Sequence, residues 1–131
     1  MEREFSIARL WQAHQAHMAE QRRRYPAKRI VAAVAEAHEL TVDELHSIRR
    51  PRRYCHARHH AAWELRRRRQ DLGLSQIAAH INRTDHTTAH HSYTTFARMV
   101  AQGRYAAERA RVATATRAIT RLGNYADAGR T

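Results

Sequence analysis

One cysteine in 131 residues, Cys55, allows neither an internal disulfide nor a cysteine-based zinc site. Disulfide scaffolds and the usual zinc fingers are therefore excluded, and a reducing compartment, the cytoplasm, is the expected home. Four glycines and two prolines are few breakers for a chain of this length, and no G-x-x-x-x-G-K-[ST] occurs. Phosphate loops of the nucleotide-hydrolysing kind cannot be built from so little glycine. No run of about 18 apolar residues is present, and Glu2 and Glu4 stand where a secretory signal would carry basic residues. Neither a membrane span nor a membrane partner is expected. Acidic residues are scarce as well: 12 face 24 basic ones, leaving a net charge of +12 and a pI near 11.4. Such an excess asks for a polyanionic partner, nucleic acid first. Lys28 is the single lysine, so the cations are arginines, suited to bidentate contacts with phosphate and guanine. A GC-rich genome would also favour Arg over Lys, but it does not explain the excess of positive charge.

What is present reads as helices. Alanine and arginine dominate, glutamate and glutamine add further helix formers, and β-branched residues are scattered. Over residues 4–24, Ile7, Leu10, Trp11, His14 and Met18 recur at helical spacing, ahead of a basic end at Arg22, Arg23 and Arg24. That stripe should pack on its own domain or pair with a second copy. Pro26 opens a second helix whose face is Ile30, Val31, Val34, Ala35 and His38. Thr41 to Glu44 has the form of a capping box for a short third helix, which Pro51 closes. A fourth helix is predicted over residues 53–69, with Ala57, Ala61, Trp63 and Leu65 inward and Gly73 marking its turn. Trp11 and Trp63 both fall at apolar positions and are expected in the core.

Leu74, Ile77, Ala78 and Ile81 fit a short helix, Asn82, Arg83 and Thr84 a turn, and Asp85 or Thr84 a cap for the next helix, which runs to about residue 102. Gly103 should break it. The pattern is helix, turn, helix, with His86 and Thr87 in the first exposed turn of the second helix. A last helix over residues 104–122 carries Val112, Ala115, Ile119 and Leu122, stops at Gly123 and leaves the final eight residues frayed. Three segments follow: 1–25, an amphipathic helix; 26–102, the helix-turn-helix domain; and 103–131, a helix and tail.

Residues 49–69 hold nine arginines and Glu64, a net +8 immediately before the helix pair. A charge run is most often a solvated face. Next to a helix-turn-helix it can lie along phosphates while the second helix enters the major groove. Neutralising about six phosphates would give a slope of log affinity against log salt of about −5.

These residues resemble the C-terminal DNA-binding domain of the bacterial replication initiator DnaA. Asp85-His86-Thr87-Thr88, preceded by Leu74-Ser75-Gln76-Ile77-Ala78, is similar to the family signature S-L-P-E-I-G … R-D-H-T-T at the same separation. Upstream, the segment from Lys28 resembles the family's opening helix, Leu40 to Leu45 its short helix, Arg49-Arg50 its basic loop, and Ala57-Arg58 with Ala61 its A-R-q-x-A helix. The resemblance covers about residues 28–96. It implies base reading in the major groove by Asp85, His86 and Thr87, with Thr88 at a phosphate or the helix start. It also implies a basic-loop arginine in the adjacent minor groove: Arg50, or Arg52 or Arg53 if the loop shifts. Chemistry agrees, since Asp accepts from a cytosine amino group, His donates to purine N7 and the Thr methyl packs on thymine. Arg49, Arg52, Arg53, Arg58, Arg67, Arg68, Ser75, Arg83 and Thr88 are the expected phosphate or backbone contacts. Thr84, Ser75 and Ala89 stand where the family has Arg, Pro and Val, so the target sequence need not be the family's.

Eleven histidines include the i, i+4 pairs His56/His60 and His86/His90, with His59 and His91 beside them. Two ligands are half a metal site, no H-E-x-x-H occurs, and no metal or other cofactor is expected. Cys55 among arginines could have a lowered pKa, but no orienting partner accompanies it, and no catalytic residue is assigned. The sequence therefore reads as an all-α, non-enzymatic reader of duplex DNA, associated with the nucleoid. Transcriptional regulation is the first expectation, through contact with RNA polymerase or another DNA-bound protein. Replication control at initiator boxes is the second, and non-specific DNA or RNA binding the third. Homodimerisation through the N- or C-terminal helices is open.

Overall fold

The computed structural model describes the backbone of residues 2–129 and the side chains of residues 6–118. Among the described residues, all regular structure is helical: α1 (Glu2–Arg24), α2 (Ala27–Ala37), α3 (Val42–His46), α4 (Arg52–Arg68), α5 (Leu74–His80), α6 (His86–Ala101) and α7 (Ala106–Gly129). The all-α helix-turn-helix bundle with added terminal helices expected from the sequence is present.

Two prolines start helices, as their fixed φ favours: Pro26 (φ −57°) precedes α2 and Pro51 (φ −53°) precedes α4. Three helices end in the same left-handed turn. In each, the residue at positive φ is followed by an N–H that reaches back five residues, the Schellman closure. Glu39 (φ 59°) precedes the Leu40 N–H to Ala35 bond, Asn82 (φ 58°) the Arg83 N–H to Ala78 bond, and Gly103 (φ 75°) the Arg104 N–H to Met99 bond. Asn82 matters most, because its turn sets the angle at which α5 hands the chain to α6.

The core forms around α4, which packs on α2, α3, α5 and α6. Ile30, Val34, Leu45, Ala57, Ala61, Leu65, Ile77, Ile81 and Ala89 are fully buried there. Alanines on α4 let α6 lie close, and Phe96 fills the gap between α6 and α4, stacked on the His60 ring at 4.4 Å. Trp63 is half-buried beside Phe96, 5.4 Å between ring centroids.

Both terminal helices depart from expectation. α7 packs along α2 and sends Val112 and Thr116 into the core, so the segment given as 103–131 shares the core of 26–102 rather than following it. It also runs through Gly123 to Gly129, a longer helix and a shorter tail than the sequence indicated. The side chains of Ile119 and Leu122 lie outside the described residues. On α1, Ile7, Leu10 and Trp11 are 66, 70 and 64 % exposed. The expectation that this stripe packs on its own domain, and that Trp11 is a core residue, is corrected: α1 touches the rest of the chain near its C-terminal end, where a Gln21 side-chain oxygen accepts from the Gln70 N–H at 3.0 Å.

Candidate nucleic-acid interface

The tetrad begins α6. Asp85 is its N-cap, and Oδ1 accepts from the Thr87 N–H at 2.9 Å. That bond holds the Asp85 carboxyl below its ordinary pKa, with the neighbouring His86 a minor contributor. One carboxylate oxygen thus orients the helix start, a role the base-reading assignment alone did not include. Asp85, His86 and Thr87 are all exposed, whereas Thr88 is half-buried and faces inward across a cleft. α5 supports this turn from behind, with Ser75 exposed in its first turn.

Across the cleft lies the basic loop between α3 and α4. α3, which leads into the loop, opens on the Thr41–Glu44 capping box, in which the Glu44 N–H donates to Thr41 Oγ1 at 3.1 Å and the Thr41 N–H to Glu44 Oε1 at 2.9 Å. Tyr54 on α4 donates to Glu44 Oε2 at 2.6 Å, and this bond is the leading cause of a lowered Glu44 pKa. Arg53 sits 3.9 Å from the same carboxylate. Between these anchors, Ile48, Arg49, Arg50, Arg52 and Arg53 are exposed. The cleft, about 520 Å³, has Ile48 and Arg50 on one wall and Thr84, Thr88 and His91 on the other.

Arg58 corrects the sequence assignment. Only 6 % exposed, it points inward and donates to the carbonyls of Leu45 (3.1 Å), Ser47 (2.9 Å) and Arg49 (3.2 Å), and to Cys55 Sγ at 3.2 Å. A guanidinium occupied in this way holds the loop instead of a phosphate. Arg83 acts from the other side, donating to Ser47 O at 3.0 Å and to Asn82 O at 2.8 Å. Burial and the neighbouring Arg58 charge lower its pKa. Asn82 Nδ2 adds a bond to His46 O at 3.1 Å, tying the turn before α6 to the loop. The two arginines therefore fix the distance between loop and recognition helix, and Arg83 reaches phosphate only with the donors these bonds leave over.

The second half of the basic run lies elsewhere. Arg67 is twelve residues along α4 from Cys55, about 18 Å at the helical rise, and its guanidinium sits 5.2 Å from the Trp63 ring centroid. Arg68 faces inward with 16 % side-chain exposure, 3.6 Å from Glu64 and over the Tyr25 ring at 5.7 Å. Arg69 is buried, forked onto Asp71 at 2.7 and 2.9 Å. Arg68 is therefore corrected from phosphate contact to internal partner, and Arg67, though exposed, belongs to the far end of α4. The spacing held a signal for Arg58: with Ala61, Ala62 and Leu65 it forms an i, i+3, i+4, i+7 set on the buried face.

Sequence reasoning also missed a buried polar cluster behind the interface. His38 and His60 share a 2.8 Å hydrogen bond, and His60 lies 3.9 Å from Glu64 on the same helix. Burial pushes the His60 pKa down to about 3, with the His38 charge next in importance, and raises that of Glu64 against the pull of Arg68. Among the described residues no group of three or more His, Cys, Asp or Glu is placed to hold a metal ion. No helix there is long and apolar enough to cross a membrane.

A capped helix with an exposed polar first turn, a supporting helix behind it and a clamped arginine loop beside it define a DNA-binding protein of the helix-turn-helix class. The family described as the bacterial DnaA protein helix-turn-helix matches residues 27–95, just over half of the chain. The chain belongs to that family. No curated protein and no solved structure matches it.

Proposed function

We propose that the protein is a sequence-specific reader of duplex DNA that acts as a transcriptional regulator, by the position it occupies rather than by catalysis. The observation that carries this reading is the pairing of two exposed elements across one cleft. The first turn of α6 presents Asp85, His86 and Thr87, and the loop opposite presents Arg49 and Arg50. A helix start in the major groove and an arginine in the neighbouring minor groove must straddle one phosphate ridge, and a cleft lined by Thr88 and Arg50 gives that ridge a place. Arg50 is the exposed loop arginine on the cleft wall, which favours it over Arg52 and Arg53 for the minor groove. Arg49, Arg52 and Arg53, with Thr88 and Ser75, take the flanking phosphates.

The family's own tetrad, kept as Asp85-His86-Thr87-Thr88, favours a second reading in which the protein acts at initiator boxes and controls replication. Selection from randomised duplexes at near-physiological salt, with wild type and His86→Ala in parallel, separates these readings. An enriched motif lost in the variant supports base reading by the tetrad, and its likeness to an initiator box decides for replication control. No enriched motif overturns sequence-specific reading in favour of a non-specific basic binder.

A further inference from the structure

α1 has 23 residues, about 35 Å of helix, and every side chain from residue 6 to residue 17 is exposed. Its polar attachments to the rest of the chain gather at one end, in the Gln21–Gln70 bond, Arg22 at 3.6 Å from Asp71, and the Tyr25 carbonyl just past the helix that accepts from Arg69 at 3.1 Å, and it also touches α7. Helices in proteins draw most of their stability from burying an apolar face. Here the face exists and is uncovered: Ile7, Leu10 and Trp11 stand open, and His14 and Met18 continue the line.

Two features of α1 make it complementary to itself. The stripe from Ile7 to Met18 has its midpoint within one residue of the midpoint of the helix. The ends also differ in sign. Glu2, Arg3 and Glu4 leave the first turn net negative, whereas Arg22, Arg23 and Arg24 close the helix and, even with Glu20 at 2.5 Å from Arg23 and Arg24, leave it net positive. Antiparallel pairing about residues 12 and 13 brings Ile7 of one copy beside Met18 of the other and Trp11 beside His14. It also sets each acidic start against a basic end and opposes the helix dipoles. Parallel pairing would set arginines against arginines. An arrangement in which the same patch meets itself across a two-fold axis is what a symmetric homodimer requires.

We propose that α1 is a dimerisation arm that pairs antiparallel with α1 of a second copy, joining two helix-turn-helix domains. The apolar strip is about 17 Å long and covers less than a standard interface of about 1,600 Å², so association falls in the micromolar range. The domains then sit at opposite ends of the helix pair and can occupy two sites on one duplex, each raising the local concentration of the other.

The test uses the full chain without DNA, and its outcome is independent of what the domain reads. Sedimentation equilibrium from roughly 1 to 200 µM should show a monomer–dimer equilibrium, brackets set around the expected affinity range. The double variant Leu10→Glu, Trp11→Glu should weaken it at least about ten-fold while its melting temperature at low micromolar concentration stays that of wild type. Mixed Ile7→Cys and Met18→Cys proteins should cross-link to each other under oxidation far faster than either does to itself, with the wild-type chain and its Cys55 as control. A monomer throughout the range overturns the proposal. So does a dimer that the double variant leaves intact, which would place the interface elsewhere. Preferential self-cross-linking of Ile7→Cys overturns the antiparallel arrangement.

Discussion

Arg58→Ala separates two roles for one cation, and the separation appears without any DNA in the tube. The guanidinium donates to the carbonyls of Leu45, Ser47 and Arg49, of which the Leu45 bond is fully buried and the other two lie at the edge of the loop. A hydrogen bond from a charged donor contributes about 1.5–3 kcal/mol, and one that water can replace contributes about 1. The buried bond and the two edge bonds together give a loss of about 3.5–5 kcal/mol, with a fall in melting temperature of about 10–20 °C for a domain of this size. Denaturant unfolding followed by circular dichroism reads the difference. Arg58→Lys should fall in between, because an ammonium keeps the charge but cannot fork across three carbonyls. If Arg58 instead touched phosphate, Arg58→Ala would change stability by less than about 0.5 kcal/mol and reduce the salt slope of DNA binding by about 0.9. That pair of results would refute the clamp.

Each of His86→Ala and Thr87→Ala should flatten preference at one base position by about 1–3 kcal/mol with the salt slope unchanged, as titrations of matched and mismatched duplexes across a salt series would show. In the same series Arg50→Ala and Arg52→Ala should each lower the slope by about 0.9, whereas Arg67→Ala should leave it alone; an equal fall for Arg67→Ala would mean that the duplex runs the length of α4. Folded His60 stays neutral down to about pH 3 while the unfolded chain protonates near 6.5, so stability is full above about 6.5 and declines as pH falls below it. The loss from His60 is at most about 1.4 kcal/mol per unit, His59, lowered by burial to about 4, adds to it, and Glu64, whose raised pKa carries the opposite sign, offsets part of it; His60→Phe should make the curve between pH 7 and 5 less steep, and an unchanged curve would assign the loss to other groups. Val112→Ala should cost about 2 kcal/mol, whereas Trp11→Ala, measured at low concentration, should cost almost nothing.

The elements were legible because their start and stop signals are local. Pro26, Thr41 with Glu44, and Asp85 act on neighbours within four residues and sit where the sequence placed a start, whereas Pro51 and Gly73, read as the close of the third helix and the turn after the fourth, begin α4 and α5. The tetrad was legible for the same reason: its geometry is the geometry of one capped helix turn. Arg58 and Arg68 were misassigned because an arginine run says nothing about which members face inward, and that depends on carbonyls or carboxylates brought up by the fold. Leu45 O is thirteen residues from Arg58, and Arg83, which completes the clamp, donates to Ser47 across 36 residues. The exposed stripe of α1 was ambiguous in kind. An amphipathic pattern states that a face wants cover, and periodicity alone does not name the cover.

α1 and α7 flank the family's domain, yet only one of them belongs to its core. α7 packs along α2: Arg111 donates to the Ala37 carbonyl at the end of α2 at 3.1 Å, Tyr105 just before α7 bonds His56 of α4, and Val112 and Thr116 are buried. α4 in turn fixes the interface, since it carries the Arg58 clamp at one end and stacks His60 on Phe96 of the recognition helix at its middle. The same contacts make α7 part of the frame that holds Arg50 and Asp85 apart at the width of the cleft. α1 touches α7 but sends none of its described side chains into the core. It reaches away from the frame with its apolar side uncovered, so a change along it can alter what the domain assembles with and leave what the domain reads untouched.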